Sequence, residues 1–78
     1  MPSVINKIQR RRLKKLGERI KALRMEKGMT LKDLAHSIGK DPQSISRVEL
    51  GLSNPTFVYL TEVCEGLGIE VSELLKDL

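Results

Sequence analysis

The 78-residue chain has a single cysteine, Cys64, and that scarcity sets the first limits. One thiol cannot close an internal disulfide, and a thiolate-rich zinc site cannot be built from it. A lone cysteine outside any framework suits a reducing compartment. Aromatic residues are nearly as scarce: Phe57 and Tyr59 are the whole set, and tryptophan is absent. Long apolar runs are missing as well. Nothing approaches the roughly 20 residues that span a bilayer. Val4-Ile5 is followed at once by Asn6-Lys7, which breaks any secretory core. These absences lead to the expectation of a cytoplasmic protein without a membrane span. A chain this short makes one domain, buries only about 60% of its unfolded surface and stands near the limit of independent stability. With disulfides and zinc unavailable, a second subunit is the expected extra support.

Charge is plentiful and unevenly spread. The formal net charge is +4, yet residues 1–27 carry ten Lys/Arg against two Glu, whereas residues 28–78 carry four against eight Asp/Glu. Such asymmetry suits a polyanion partner at one end, although a basic leader also serves simply as a solubilising arm.

Apolar periodicity indicates helices and no strand. Leu16, Ile20 and Leu23 share a face that Gly28 closes. Thr30 reads as an N-cap for a helix carrying Leu31, Leu34, Ala35 and Ile38, with Met29 and Leu34 placed as a hydrophobic staple. Gly39 ends it. Asp41 is a good N-cap with Pro42 at the first helical position, and Ile45 and Val48 then face inward until Gly51. After a Leu52-Ser53-Asn54-Pro55 loop, a fourth helix is expected to carry Phe57, Leu60, Val63, Cys64 and Leu67 on one side. A short fifth helix places Val71, Leu74, Leu75 and Leu78 on one stripe, with Glu70 a poor cap. Residues 1–15 do not hold a clean period: they are a basic N-terminal arm or an extension of the first helix, and residues 16–78 form the globular domain.

Two helices of about eight residues joined across Gly39-Lys40-Asp41 match the short glycine-containing turn of a helix-turn-helix. With Ile45 and Val48 marking the buried direction, Gln43, Ser46, Arg47 and Leu50 point outward and Ser44 lies on a flank. A solvated helix face normally carries Glu and Lys, yet this one offers Gln, Ser and Arg; Gln pairs bidentately with adenine and Arg with guanine in the major groove. An ordinary polar face is the competing reading of these residues taken alone.

The ordered set Leu31-x-x-Leu34-Ala35, Ile38-Gly39, Ser44-Ile45-Ser46-Arg47-Val48-Glu49-x-Gly51, Pro55 and Leu67-Gly68-Ile69 resembles the Cro/CI (Xre) family of helix-turn-helix regulators, from about Leu16 to Leu75. The resemblance implies an all-α, compact five-helix bundle of lambda-repressor-like type whose third helix enters the major groove of double-stranded DNA. It places Lys40, Asp41, Gln43, Ser44 and Arg47 at positions used for base or backbone contact; Gln43, Ser44 and Arg47, with the outward Ser46, are the expected base contacts, and Lys40 and Asp41 the expected backbone contacts. Ser53 and Asn54, with helix-start N–H groups, are further backbone candidates. The basic leader (Lys7, Arg10, Arg11, Arg12, Lys14 and Lys15) has two readings: an arm whose cations, Arg10, Arg11 and Arg12 among them, track phosphates or enter a minor groove, or an extension of helix one that touches a partner subunit. The sequence departs from the family in two places: Pro42 stands where some relatives carry a base-reading Gln, and Leu31 where a phosphate-binding polar residue is common. The family commonly pairs Arg24 with Glu49, which predicts a partly buried ion pair.

His36 is isolated on the exposed side of helix two, Cys64 lies in an apolar stripe, and Gly66-Leu67-Gly68 follows a helix rather than the strand a phosphate loop needs. No nucleophile, base and oxyanion donor come together, so the expectation is a non-enzyme without cofactor or metal. Leu74, Leu75 and Leu78 are candidates for an isologous homodimer contact, which would set two recognition helices about 34 Å apart. The favoured reading is a homodimeric transcriptional regulator, most often a repressor in this family. A protein-interaction module with a partner such as a toxin, using Leu50, Leu52 or the last helix, is the rival. A membrane-surface role is weak, because the leader lacks aromatic anchors and a clean apolar face.

Overall fold

The computed structural model describes residues 6–78, and five helices account for its regular structure: α1 Lys7–Glu26, α2 Leu31–Ser37, α3 Pro42–Glu49, α4 Phe57–Leu67 and α5 Val71–Leu75. No strand occurs among the described residues. Local sequence sets each start. Asn6 and Gln9 form a capping box ahead of α1, each satisfying the other's backbone N–H. Thr30 and Asp33 repeat the device at α2, Asp41 caps α3 by accepting from the Gln43 N–H at 3.0 Å, and Thr56 caps α4. Such side chains occupy donors that a helix leaves unpaired at its first turn. Glu70 makes no cap bond, in keeping with the brevity of α5.

The expectation left open for the leader resolves for the described residues: from Lys7 onward it is helix, continuous with the rest of α1. The periodicity missed this because Arg10-Arg11-Arg12 breaks the apolar pattern, while the capping signal at Asn6 and Gln9 was there to be read.

One core unites the elements: Leu16 and Ile20 from α1, Leu34 and Ala35 from α2, Ile45 and Val48 from α3, Leu60, Val63, Cys64 and Leu67 from α4, and Leu74 from α5. Two placements correct the sequence reading. Phe57 is 65% exposed: it is the first residue of α4, and the part of that helix in the core begins only at Leu60. Leu74 is fully buried in its own protomer and cannot contact a second subunit; Leu75 and Leu78 stay exposed, and Leu78 lies beyond the end of α5. The Arg19 guanidinium donates to the Glu73 and Leu74 carbonyls at 3.4 and 3.3 Å, tying α5 to one side of α1.

The seating of α3 against α1 depends on a glycine. At Gly17 a Cβ would overlap the carbonyl oxygens of Val48 and Glu49, so the two helices cross with backbone nearly touching. Close by, Gly51 ends α3 with a positive φ of 75°, where a Cβ would lie 2.9 Å from the Lys14 Cα. These contacts place the C-terminal end of α3 beside residues 14–17 of α1.

Candidate nucleic-acid interface

The turn between α2 and α3 is built by backbone bonds. Lys40 N–H donates to the Ala35 carbonyl at 2.8 Å, and Gly39 takes a left-handed φ of 66° that turns the chain sharply toward Asp41. Pro42 then opens α3 where its missing N–H costs nothing. The outcome is a three-element unit: α2, a short turn, and α3 held across it.

Arg24 fixes how α3 sits. Its Nε donates to Glu49 Oε2 at 2.7 Å, Nη2 to Glu49 Oε1 at 3.1 Å, and Nη1 to the Met29 carbonyl at 2.7 Å. Both side chains of the pair are buried. Glu49's hydrogen bond, with its charge adding to it, raises the Arg24 pKa above its ordinary value against the opposing cost of burial. A fork-to-fork pair of this kind carries direction as well as energy. It locks the rotation of α3 about its axis, which decides which residues face out.

With Ile45, Val48 and Glu49 turned inward, Gln43, Arg47 and Leu50 form the exposed outer face. The remaining two candidates on the helix fall on its flanks. Ser46 is half-buried on the α1 side, in a recess shared with Lys14, Lys21, Leu31 and Leu50. Ser44 lies on the α4 side, where its hydroxyl donates to the Asp41 carbonyl at 2.9 Å and sits 3.1 Å from the Tyr59 hydroxyl. The geometry therefore singles out Gln43 and Arg47 as unencumbered, and shows Ser44 already engaged within the protein.

The expected backbone contacts also divide. Asp41 is occupied as the α3 cap, and a carboxylate offers a phosphate no side-chain donor, so its expected role there loses its chemistry. Lys40 is drawn to α4: its Nζ is 2.8 Å from Glu62 Oε1 and lies 5.3 Å from the centre of the Tyr59 ring. Ser53 and Asn54 line a notch with Arg47, Ser44, Thr56 and Tyr59, so loop, recognition helix and α4 start converge there. Arg10, Arg11 and Arg12 all lie on α1, exposed, and fan out around it at 100° steps instead of acting as one cluster. Tyr59 and Glu62 escaped the sequence reading, since neither belongs to the outer face of α3. Gly17 escaped it too, because only a helix crossing reveals why it must be small.

Comparison with known proteins agrees with this geometry. Residues 20–74 match the Helix-turn-helix family. The chain is 37% identical over 62 residues to the HTH-type transcriptional regulator DdrOP3 of Deinococcus deserti, covering 80% of this chain and 48% of that protein. The chain thus spans about half the length of that relative. Among solved structures, the restriction-modification controller protein C.AhdI from Aeromonas hydrophila superposes with a TM-score of 0.81 at 34% identity, covering 83% of this chain and 98% of that one. The controller protein C.Esp1396I, solved as a tetramer with its natural 35 base-pair operator, gives 0.77 at 34% identity, covering 82% and 84%. Sequence match, five-helix architecture and an α3 turned outward by its buried anchors agree, and the chain belongs to the helix-turn-helix family of the Cro/CI (Xre) type.

Proposed function

We propose that the chain is a cytoplasmic, sequence-specific DNA-binding regulator of transcription, not an enzyme, that reads an operator by laying α3 in the major groove as a homodimer. The observation that carries this is the outer face of α3: Gln43 and Arg47 are exposed while the same helix is clamped from behind by the Arg24–Glu49 pair. Base readout needs donors and acceptors held in a fixed register, and a rotationally locked helix supplies it. Ser46 is a base contact at the groove edge, and Ser44 assists from the other flank. Ser53 and Asn54 take phosphate oxygens, and Lys40 joins them once it leaves Glu62. The operator complex of the related C.Esp1396I supports the same use of the fold. Leu75 and Leu78 are offered as the subunit contact.

Selection of bound sites from a random duplex library tests the reading. A recurring near-palindromic motif is expected, with Arg47→Ala and Gln43→Ala each relaxing preference at one position per half-site by about 1–3 kcal/mol. Failure to enrich any motif, or enrichment unchanged by both substitutions, would sink it. Leu50 and Leu52, 62% and 54% exposed, favour the second reading, a protein-binding module; in that case Leu50→Ser would abolish partner capture and leave duplex affinity untouched.

A further inference from the structure

The α3-facing edge of α1 carries a row of cations that the helix-turn-helix unit does not include. Lys14 and Lys21 line the recess beside Ser46 and Leu50, so this edge of α1 borders the outer face of α3. At 100° per residue, Lys7 and Lys21 fall within about 20° of Lys14 and Arg10 within about 40°, whereas Arg12 falls about 160° away. The opposite edge is independently marked by Arg19, which bonds the carbonyls of α5. Arg12 lies on that side. None of Lys7, Arg10, Lys14 and Lys21 enters an ion pair among the described residues, although Glu18 shares the recess of Lys14 and Lys21.

We propose that Lys7, Arg10, Lys14 and Lys21 form a phosphate rail that follows one DNA strand alongside the groove occupied by α3 and continues past its C-terminal end. This rests on the reading of α3 as the groove helix. Lys21 lies near Ser46, Lys14 beside Gly51, and Arg10 and Lys7 one and two turns further along. The row spans about 21 Å, an axial length over which one strand presents about six phosphates. A flexible arm would let Arg10, Arg11 and Arg12 act together. A helix does not, so it divides the leader into cations that face the duplex and cations that do not.

Charge-matched double variants separate these. Arg10→Gln/Lys14→Gln and Arg12→Gln/Lys15→Gln have the same net charge, and all four residues are exposed. Binding to a 30-base-pair duplex bearing the selected site is measured over a salt series, with thermal melts to confirm equal folding. The first double is expected to lower the slope of log affinity against log salt by about 1.8, at about 0.9 per lost phosphate contact. The second should leave the slope within about 0.3 of the parent. Glu18→Gln should raise affinity two- to tenfold. Equal slopes for the two doubles, whether both reduced or both unchanged, would overturn the rail, as would a change in self-association confined to the first double. Site preference in the same duplexes is read separately. If it still depends on Arg47 while the doubles match, only the rail fails; if no duplex binds above background, the α3 reading fails with it.

Discussion

At Arg24 one guanidinium hydrogen-bonds to two separate parts of the chain, the Glu49 carboxylate on α3 and the Met29 carbonyl before α2. The net worth of such a pair is small, because desolvation offsets attraction, but loss of one member leaves a buried charge alone. Glu49→Ala should therefore cost about 3–5 kcal/mol in urea unfolding, while Gln43→Ala should stay within about 0.5 kcal/mol of the parent and lose duplex binding instead. The reverse pattern would mean that the inward and outward faces of α3 are misassigned. A second residue-scale test concerns Asp33. The Thr30 backbone N–H, with the Thr30 hydroxyl next, holds its carboxyl below the ordinary value of 3.8. A lowered folded pKa means that the stabilisation is complete at neutral pH and is lost as pH falls below that value. Asp33→Asn should thus melt below the parent at pH 7, with the gap closing under acid conditions; a constant gap would count against the cap.

Among elements, α2 and α3 were legible in the sequence because turn chemistry and periodicity agreed there: Thr30, Gly39, Asp41 and Pro42 each act where their local preference places them. The failures have physical causes. Phe57 fits the apolar stripe of α4 by spacing, but at the very start of that helix it lies outside the core, which α4 enters at Leu60. Leu74 fits a dimer face by composition, but a helix of five residues turns a single full side chain inward and that one is Leu74. Ser44 and Lys40 are diverted by Tyr59 and Glu62, partners on another element that spacing cannot reveal. The α1–α3 crossing yields its own prediction. In an exposed helix Gly→Ala would stabilise by about 1 kcal/mol. At Gly17 the methyl meets two backbone carbonyls that cannot yield as a flexible side chain would, so Gly17→Ala should instead destabilise by about 1–3 kcal/mol. A midpoint in urea equal to or above the parent's would show that α1 and α3 have room to separate.

For the whole molecule, the balance of a small core against a short chain makes a second subunit useful. Leu75 and Leu78 are 39% and 43% exposed beside a C-terminal segment that leaves the helix early. Leu75→Glu should shift the proposed dimer toward monomer in sedimentation experiments at tens of micromolar, and weaken operator binding without moving the base preference. A parent that is monomeric at that concentration, with and without duplex, would exclude the dimer. The bases would then have to be read one half-site at a time.

Cys64 is enclosed where α4 meets the rest of the body, and burial, with Glu73 and Glu70 adding to it, pushes its thiol pKa up. A protonated, shielded sulfur is a poor nucleophile, so alkylation must wait for α4 or α5 to swing away. The rate at which iodoacetamide modifies this thiol is then a clock for that opening. Slower modification when duplex is added would mean that the nucleic acid steadies the side of the protein farthest in sequence from its basic leader.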